Sequence, residues 1–282
     1  MRSSEHGLYD VSKSNSAEQA ITEAMLQASS PKLTPMRMLI LAIVAAIYWA
    51  SIQGTEISLN DIITGMPAIF DLLSQMFPPD WGYLKELLPR VIETLQIGII
   101  ATIIASILSL PLAFLAAKNV SPHPLIYIPI RFFLTVCRGV SEIIWALLFV
   151  VAVGLGPFAG VIALIIYCVG VIGKLLAEAV EAVDPGPLEA MEAAGASRWK
   201  VFLYGAWPQV LPLYLSYCLY YWDHNTRQAV VLGFVGAGGV GYALFFNIST
   251  YYFEKAMMAM IVLILMIVII DRFCLFLRQR II

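Results

Sequence analysis

EAMEAAGASRWKVFLYGAWPQVLP, Glu189 to Pro212, interrupts a long run of Val, Ile, Leu and Gly with charges, a glycine and a Trp-Pro pair. Just upstream, Asp184-Pro185-Gly186-Pro187 stops the preceding apolar segment and prepares a new helix. Asp184 is suited to an N-cap, and proline near the first helical position is pre-organised. The spacing predicts a short helix over Leu188–Ala194, with Glu189 and Glu192 near its positive end. Gly195 then supplies a helix stop. Ser197 is placed to cap a second short helix, Arg198–Tyr204, and Pro208 opens the next apolar segment. The expected product is a polar loop over about 184–207 holding two short helices at an angle. Such an object suits a groove on a partner, although an ordinary connecting loop with helical content has the same composition.

The rest of the chain explains what that loop connects. Of 282 residues, 60% are hydrophobic and 13% charged, and the mean hydropathy is +0.84. A soluble domain carries about 25% charged residues, so the fold class is an all-α integral membrane protein in contact with the lipid bilayer. The net charge of -2 carries no argument for nucleic acid. Cys137, Cys168, Cys218 and Cys274 each sit in an apolar segment with no CxxC or Cys/His pattern, which reads as buried packing. No metal site or paired-carboxylate centre is evident.

About six spans are expected, each needing about 20 apolar residues: Met36–Gln53, Val91–Ala117, Phe132–Phe158, Ala159–Leu176, Pro208–Trp222 and Ala256–Leu277. The Pro-punctuated stretch Gly54–Arg90 is too broken to span. Residues 36–282 thus form a transmembrane domain. Residues 1–35 form a polar tail whose Ile21, Met25 and Ala28 share a face if the tail is helical; no apolar leader segment is visible. Of the 17 Lys and Arg, Lys85, Arg90, Arg227 and Lys255 fall outside with the N-terminus inside. Arg138 falls within a span, and the remaining twelve fall inside. The positive-inside rule therefore predicts both termini in the cytoplasm. No inverted repeat of the secondary-transporter kind is apparent. The run Gly233–Gly241 lacks the Lys-Ser/Thr of a phosphate loop; its glycines suit a re-entrant bend and close helix approach, or a backbone anion nest.

On these residues the chain resembles the permeases of ATP-binding cassette importers. Their loop pattern is Glu-Ala-Ala, three residues, Gly, nine residues, then Ile-x-Leu-Pro. Here Glu189, Ala190 and Met191 take the first places, Gly195 falls at the required spacing, and Trp207-Pro208 takes the Leu-Pro place. Met191, Gly205 and Trp207 depart from the pattern at packing positions. Arg138–Leu164 and Thr226–Leu244 are similar to the corresponding segments of phosphonate-importer permeases of the PhnE type. The resemblance extends from about Leu87 to the C-terminus. It implies an importer-permease fold of type I, in a bacterial inner membrane. It also implies a homodimer with two cytoplasmic ATPase subunits that use ATP and Mg, while this chain binds no cofactor and catalyses nothing itself. A periplasmic phosphonate-binding protein would deliver a phosphonate or related phosphorus oxyanion. Phosphite, phosphate or another small solute is the alternative cargo, and an autonomous secondary transporter is the alternative class.

Within the resemblance, Glu189, Ala190, Glu192, Gly195, Ala196 and Arg198 carry the contact with the ATPase. Intramembrane polar groups mark the pathway. Arg138 and Glu142, four apart, are expected on one helix face as an ion pair, either structural or lining the cavity. Asp223, His224, Asn225 and Arg227 are expected near the outer mouth. Arg227 is the candidate to meet a doubly charged phosphonate, because a guanidinium forks onto two oxygens. For His224 a solvated helix end is the competing reading.

Overall fold

A computed structural model describes residues 35–55 and 59–280. The helix expected within the N-terminal tail lies outside the described residues. The chain divides into two units, Met1–Ala68 and Ile69–Ile282. In the first, α1 (Pro35–Gly54) is a 20-residue apolar helix with no buried side chain. At 1.5 Å per residue it is about 30 Å long, the thickness of a hydrocarbon core. α2 (Leu59–Met76) follows and carries Pro67, so the stretch expected to be broken is helical over much of its length.

The second unit is built on α3 (Leu84–Ala116). A 3₁₀ turn, Trp81–Tyr83, leads into it, and the Asp80 carboxylate accepts the Gly82 and Tyr83 N–H groups of that turn. Next come α4 (Pro124–Gly139), α5 (Glu142–Val153), α6 (Pro157–Glu181), α7 (Pro185–Ala193) and α8 (Arg198–Lys200). α9 (Trp207–Gly233), α10 (Gly239–Ser249) and α11 (Phe253–Arg278) complete the bundle. No strand occurs among the described residues. α3 and α6 form the most extensive pair. Buried Ala101, Ala105 and Ala113 on α3, with Ala163 and Ala177 on α6, let two backbones approach, and Gly170 on α6 does the same for α4, meeting Leu134, Cys137 and Arg138. This is how helices associate where lipid removes the hydrophobic drive. Large apolar side chains point outward instead, among them Leu125, Phe132, Val151 and Ile269, a surface that lipid rather than water can cover.

Four helices, α1, α3, α6 and α11, are long and apolar enough to cross a membrane, and the pair α4–α5 is a fifth if counted as one span. Two expectations are corrected here. The single span Phe132–Phe158 is two helices meeting at 88°, because Val140 and Ser141 are extended and Ser141 starts α5. The span Pro208–Trp222 does not end at Trp222; α9 runs on to Gly233. Its 27 residues are long enough to cross, but the polar run Asp223–Arg227 lies inside it, and its mean hydropathy drops accordingly. Beyond α9, the glycine-rich turn leads into α10. At 11 residues, or about 16 Å, α10 is too short to span. It runs beside the first turns of α3: the Val240 N–H donates to Thr94 Oγ1 at 2.9 Å and Asn247 to the Tyr83 hydroxyl at 3.0 Å. Gly241 lets α10 lie against α9 as well, since a β-carbon there would strike the Val230 carbonyl.

Candidate coupling loop and intramembrane polar cluster

The loop between α6 and α9 has the caps its sequence calls for. The Asp184 carboxylate accepts the Gly186 N–H at 3.0 Å, so α7 begins at Pro185 rather than Leu188. At its other end the Gly195 N–H donates to the Glu192 carbonyl at 2.9 Å, and the Ala196 N–H to Met191 at 3.0 Å. This pair of bonds is a Schellman closure, and it requires the left-handed conformation that Gly195 adopts at φ +77. Nothing lies within 4 Å of a β-carbon built there. Backbone conformation, not crowding within this chain, is therefore what demands glycine.

The second short helix is corrected. Only Arg198–Lys200 is α-helical; Val201–Ala206 is a π-helical turn that passes directly into α9. Pro208 supplies the reason. It has no N–H, and its ring crowds the carbonyl four residues back. The wider turn relieves this, with the Trp207 N–H reaching Phe202. From Arg198 to Gly233 the chain is thus one helical rod. The underside of the loop is packed: Leu188, Val201, Phe202 and Ala206 join Ala113, Ala116 and Val180 in one buried cluster. The departures from the family pattern sit here too. Met191 packs against that cluster, Gly205 lies against Leu188, and Trp207 packs, tilted, against Phe202 and Tyr214. Glu189, Ala190, Glu192, Gly195 and Arg198 face outward, and Ala196 is half-buried.

Polar links tie both flanks of the loop to the α3–α4 junction. Glu181 accepts the Lys118 N–H at 2.8 Å and pairs with Arg131 at 2.9 Å. Asn119 donates to the Val180 carbonyl at 2.7 Å, and Arg198 reaches the Asn119 carbonyl at 3.4 Å. Any movement of the loop is therefore felt by α3 and α4 as well as by the helices it joins.

The second cluster lies midway along the bundle, not at its outer mouth. Asn225, fully buried, donates to Thr102 Oγ1 at 2.9 Å, near the midpoint of the 33-residue α3. His224 and Glu142 meet at 3.2 Å across α9 and α5, and the rings of Tyr167, Tyr220 and Tyr221 surround the imidazole. Arg227 pairs with the buried Asp223 one turn away. The solvated-end reading of His224 fails, because the helix continues two and a half turns past it. The Arg138–Glu142 pair also fails: the 88° break destroys the four-residue spacing, and Glu142 takes His224 instead. Arg138 is exposed and forms no ion pair among the described residues. Asp223 Oδ1, Asn225 Oδ1 and Trp222 Nε1 are buried without partners, each costing about 1–3 kcal/mol. An open groove of about 440 Å³ between α3 and α9 reaches this level at Thr102 and Trp222. Sequence reasoning missed Thr102 and Tyr167. The signal for Thr102 is the four-residue repeat Thr94, Gly98, Thr102, Ser106 along one face of α3; Tyr167 has no comparable signal.

An all-α polytopic membrane protein with a capped loop protruding between two long helices and a polar cluster at mid-bundle is, as a class, a transport permease. The chain belongs to the binding-protein-dependent transport system inner membrane component family, whose pattern matches residues 109–282. It is 42% identical over 216 residues to the putative phosphite transport system permease protein HtxC of Stutzerimonas stutzeri, covering 77% of each chain. To the phosphite transport system permease protein PtxC of the same organism it is 38% identical, covering 78% of this chain and 80% of that one. The phosphate-import permease protein PhnE of Mycolicibacterium smegmatis is 42% identical over 75% of this chain, which spans 40% of that longer protein. The inward-facing MetNI methionine ABC transporter shares the fold, with a TM-score of 0.63 at 17% identity, covering 72% of this chain and 99% of that one. This chain is accordingly a permease component of an ABC importer in an inner membrane.

Proposed function

We propose that two copies of this chain form the translocation path for a phosphonate or a closely related phosphorus oxyanion. Two ATPase subunits lie against the loops 184–207, and a binding protein delivers cargo at the opposite end. The observation that carries the cargo reading is the identity of 38–42% to permeases named for phosphite and phosphate transport. The mid-bundle cluster supports it, since Arg227 and His224 are groups that can meet an oxyanion in a largely apolar bundle. Arg227 is paired with Asp223 and the His224 ring meets Glu142, so the path is tuned for passing contact rather than tight capture, as release requires.

In this reading Mg and ATP belong to the partner subunits, and both termini and the coupling loop face the cytoplasm. ATP-driven closure pushes on Glu189, Ala190, Glu192 and the Gly195–Arg198 turn. The rod from Arg198 to Gly233 carries that push to the level of Asp223–Arg227, about 24–30 Å from Trp207 at 1.5 Å per residue. The test is ATP-dependent uptake of labelled methylphosphonate, phosphite and phosphate into liposomes holding the reconstituted complex. Uptake of methylphosphonate that requires the ATPase supports the proposal. Uptake without the ATPase refutes the importer mechanism for this chain, and uptake of phosphite or phosphate alone refutes the phosphonate cargo.

A further inference from the structure

The break between α4 and α5 lies at membrane depth. Gly170, the fourteenth of the 25 residues of the spanning helix α6, packs directly on it. A β-carbon there would fall 2.7 Å from the Arg138 amide nitrogen. Gly170 is about 16–20 Å from either end of α6 at 1.5 Å per residue. At this depth the chain leaves the helix. Val140 and Ser141 are extended, and the Trp145 indole donates to the Cys137 carbonyl at 3.1 Å, bracing the corner. Ser141 is exposed, and its hydroxyl caps no backbone N–H. Arg138 is exposed too, and among the described residues its side chain forms no hydrogen bond and no ion pair. Glu142, its expected partner, is held by His224. Tyr167 lies within electrostatic reach of both Arg138 and Glu142, so the guanidinium stands beside the mid-bundle cluster.

Two separate constraints decide what this corner faces. Non-helical backbone at membrane depth is tolerated where it is buried in protein or lines a water-filled cavity, and Ser141 is not buried. An unpaired guanidinium facing lipid is costly, and half the length of α6 is farther than an arginine side chain can reach toward the head groups. We infer that the corner lines the translocation path and that Arg138 is the residue that contacts the cargo oxyanion there. Arg227 carries Asp223, and His224 meets Glu142, so each must give up a partner to meet an anion. Arg138 has none to give up. Its fork of N–H donors fits two oxygens of a phosphorus oxyanion. This assignment rests on the cargo reading above and adds to it the residue that selects for negative charge.

The experiment uses the complete importer, with its ATPase and binding protein, in liposomes, as wild type, Arg138→Gln, Arg138→Lys and, as a control, Arg280→Gln. ATP-dependent uptake of labelled methylphosphonate, phosphite and phosphate is measured against concentration. The basal ATPase rate, thermal midpoint and size-exclusion profile of each variant are measured beside it. Arg138→Gln should lower uptake at low cargo concentration about tenfold or more, the worth of a charge-assisted hydrogen bond. Its midpoint, profile and basal ATPase rate should stay as in wild type, because the guanidinium has no partner in the chain to lose. Arg138→Lys keeps the charge without the fork and should fall between the two, while Arg280→Gln should transport as wild type. A second readout treats Arg138→Cys with an anionic, membrane-impermeant thiosulfonate. The wild-type chain sets the background of native cysteines, and Phe132→Cys, on the outward side of α4, is the unlabelled control. Labelling at position 138 that cargo slows is expected. Uptake by Arg138→Gln at the wild-type level overturns the inference. So does a lowered midpoint or altered profile in that variant, which would make Arg138 a structural partner within the chain or to a second copy. Labelling of Arg138→Cys no greater than that of Phe132→Cys, or labelling that transported cargo does not slow, overturns it as well. A wild-type importer that moves none of the three anions refutes the cargo reading itself, and the cargo contact falls with it.

Discussion

Gly195→Ala, measured beside Gly195→Asn and Gly195→Trp, separates what the coupling loop needs from its own backbone and what it needs from a partner. At φ +77 any L-residue pays the left-handed penalty of about 1–2 kcal/mol, a factor of about 5–30 in the population of the capped turn. Asparagine tolerates this region far better than alanine. Within the chain a β-carbon meets no obstacle, since the space around it is empty to 4 Å, and Gly195 itself is exposed. ATP-dependent uptake in the reconstituted complex should therefore fall about 5–30-fold for alanine and recover to within about threefold for asparagine. Tryptophan carries the same backbone cost, so uptake falling well below the alanine level measures a partner surface seated on Gly195. Alanine at the wild-type rate, or asparagine no better than alanine, would refute the conformational account. Tryptophan equal to alanine would refute the contact with the ATPase at this position.

Three further outcomes follow from the packing. Arg227→Ala strands the buried Asp223 and should destabilise the protein by about 3–5 kcal/mol, seen as lost thermal stability in detergent. The neutral pair Asp223→Asn/Arg227→Gln should restore that stability, so uptake by the double variant reports whether the cation itself is used. Glu181→Ala removes the clamp on Lys118 and Arg131 and should cost about 1–3 kcal/mol; it should also lower substrate moved per ATP hydrolysed, whereas a purely local role leaves that ratio unchanged. Gly241→Ala forces a β-carbon into the Val230 carbonyl, and overpacking of about 1–3 kcal/mol or more should reduce the yield of monodisperse protein, while Gly139→Ala, with nothing within 4 Å, should not.

Where the physics is local, the reading of particular elements held. The Asp184 cap, the Gly195 stop and the apolar lengths of α1, α3, α6 and α11 each depend on residues within a turn or two of one another. The failures share a different character. Phe132–Phe158 looks uniformly apolar, but its 88° break comes from two extended residues, Val140 and Ser141, that hydropathy does not distinguish from helix. Asp223–Arg227 reads as a solvated end because five polar residues in a row are costly in lipid. The cost is met by residues distant in sequence, with Thr102 beneath Asn225 and Glu142 beside His224. The π turn before Pro208 was equally hidden, since a proline after an apolar run signals a start as readily as a widened turn.

Composition and local pattern were thus enough to establish a helical membrane protein and the caps of the loop over 184–207. Partner choice was decided only by the tertiary structure. Glu142 meets His224 rather than Arg138, and Asp223 claims Arg227. The physical reason is that burying a polar group in lipid is costly from any single helix, while the partner that offsets the cost is supplied by whichever helix packs beside it.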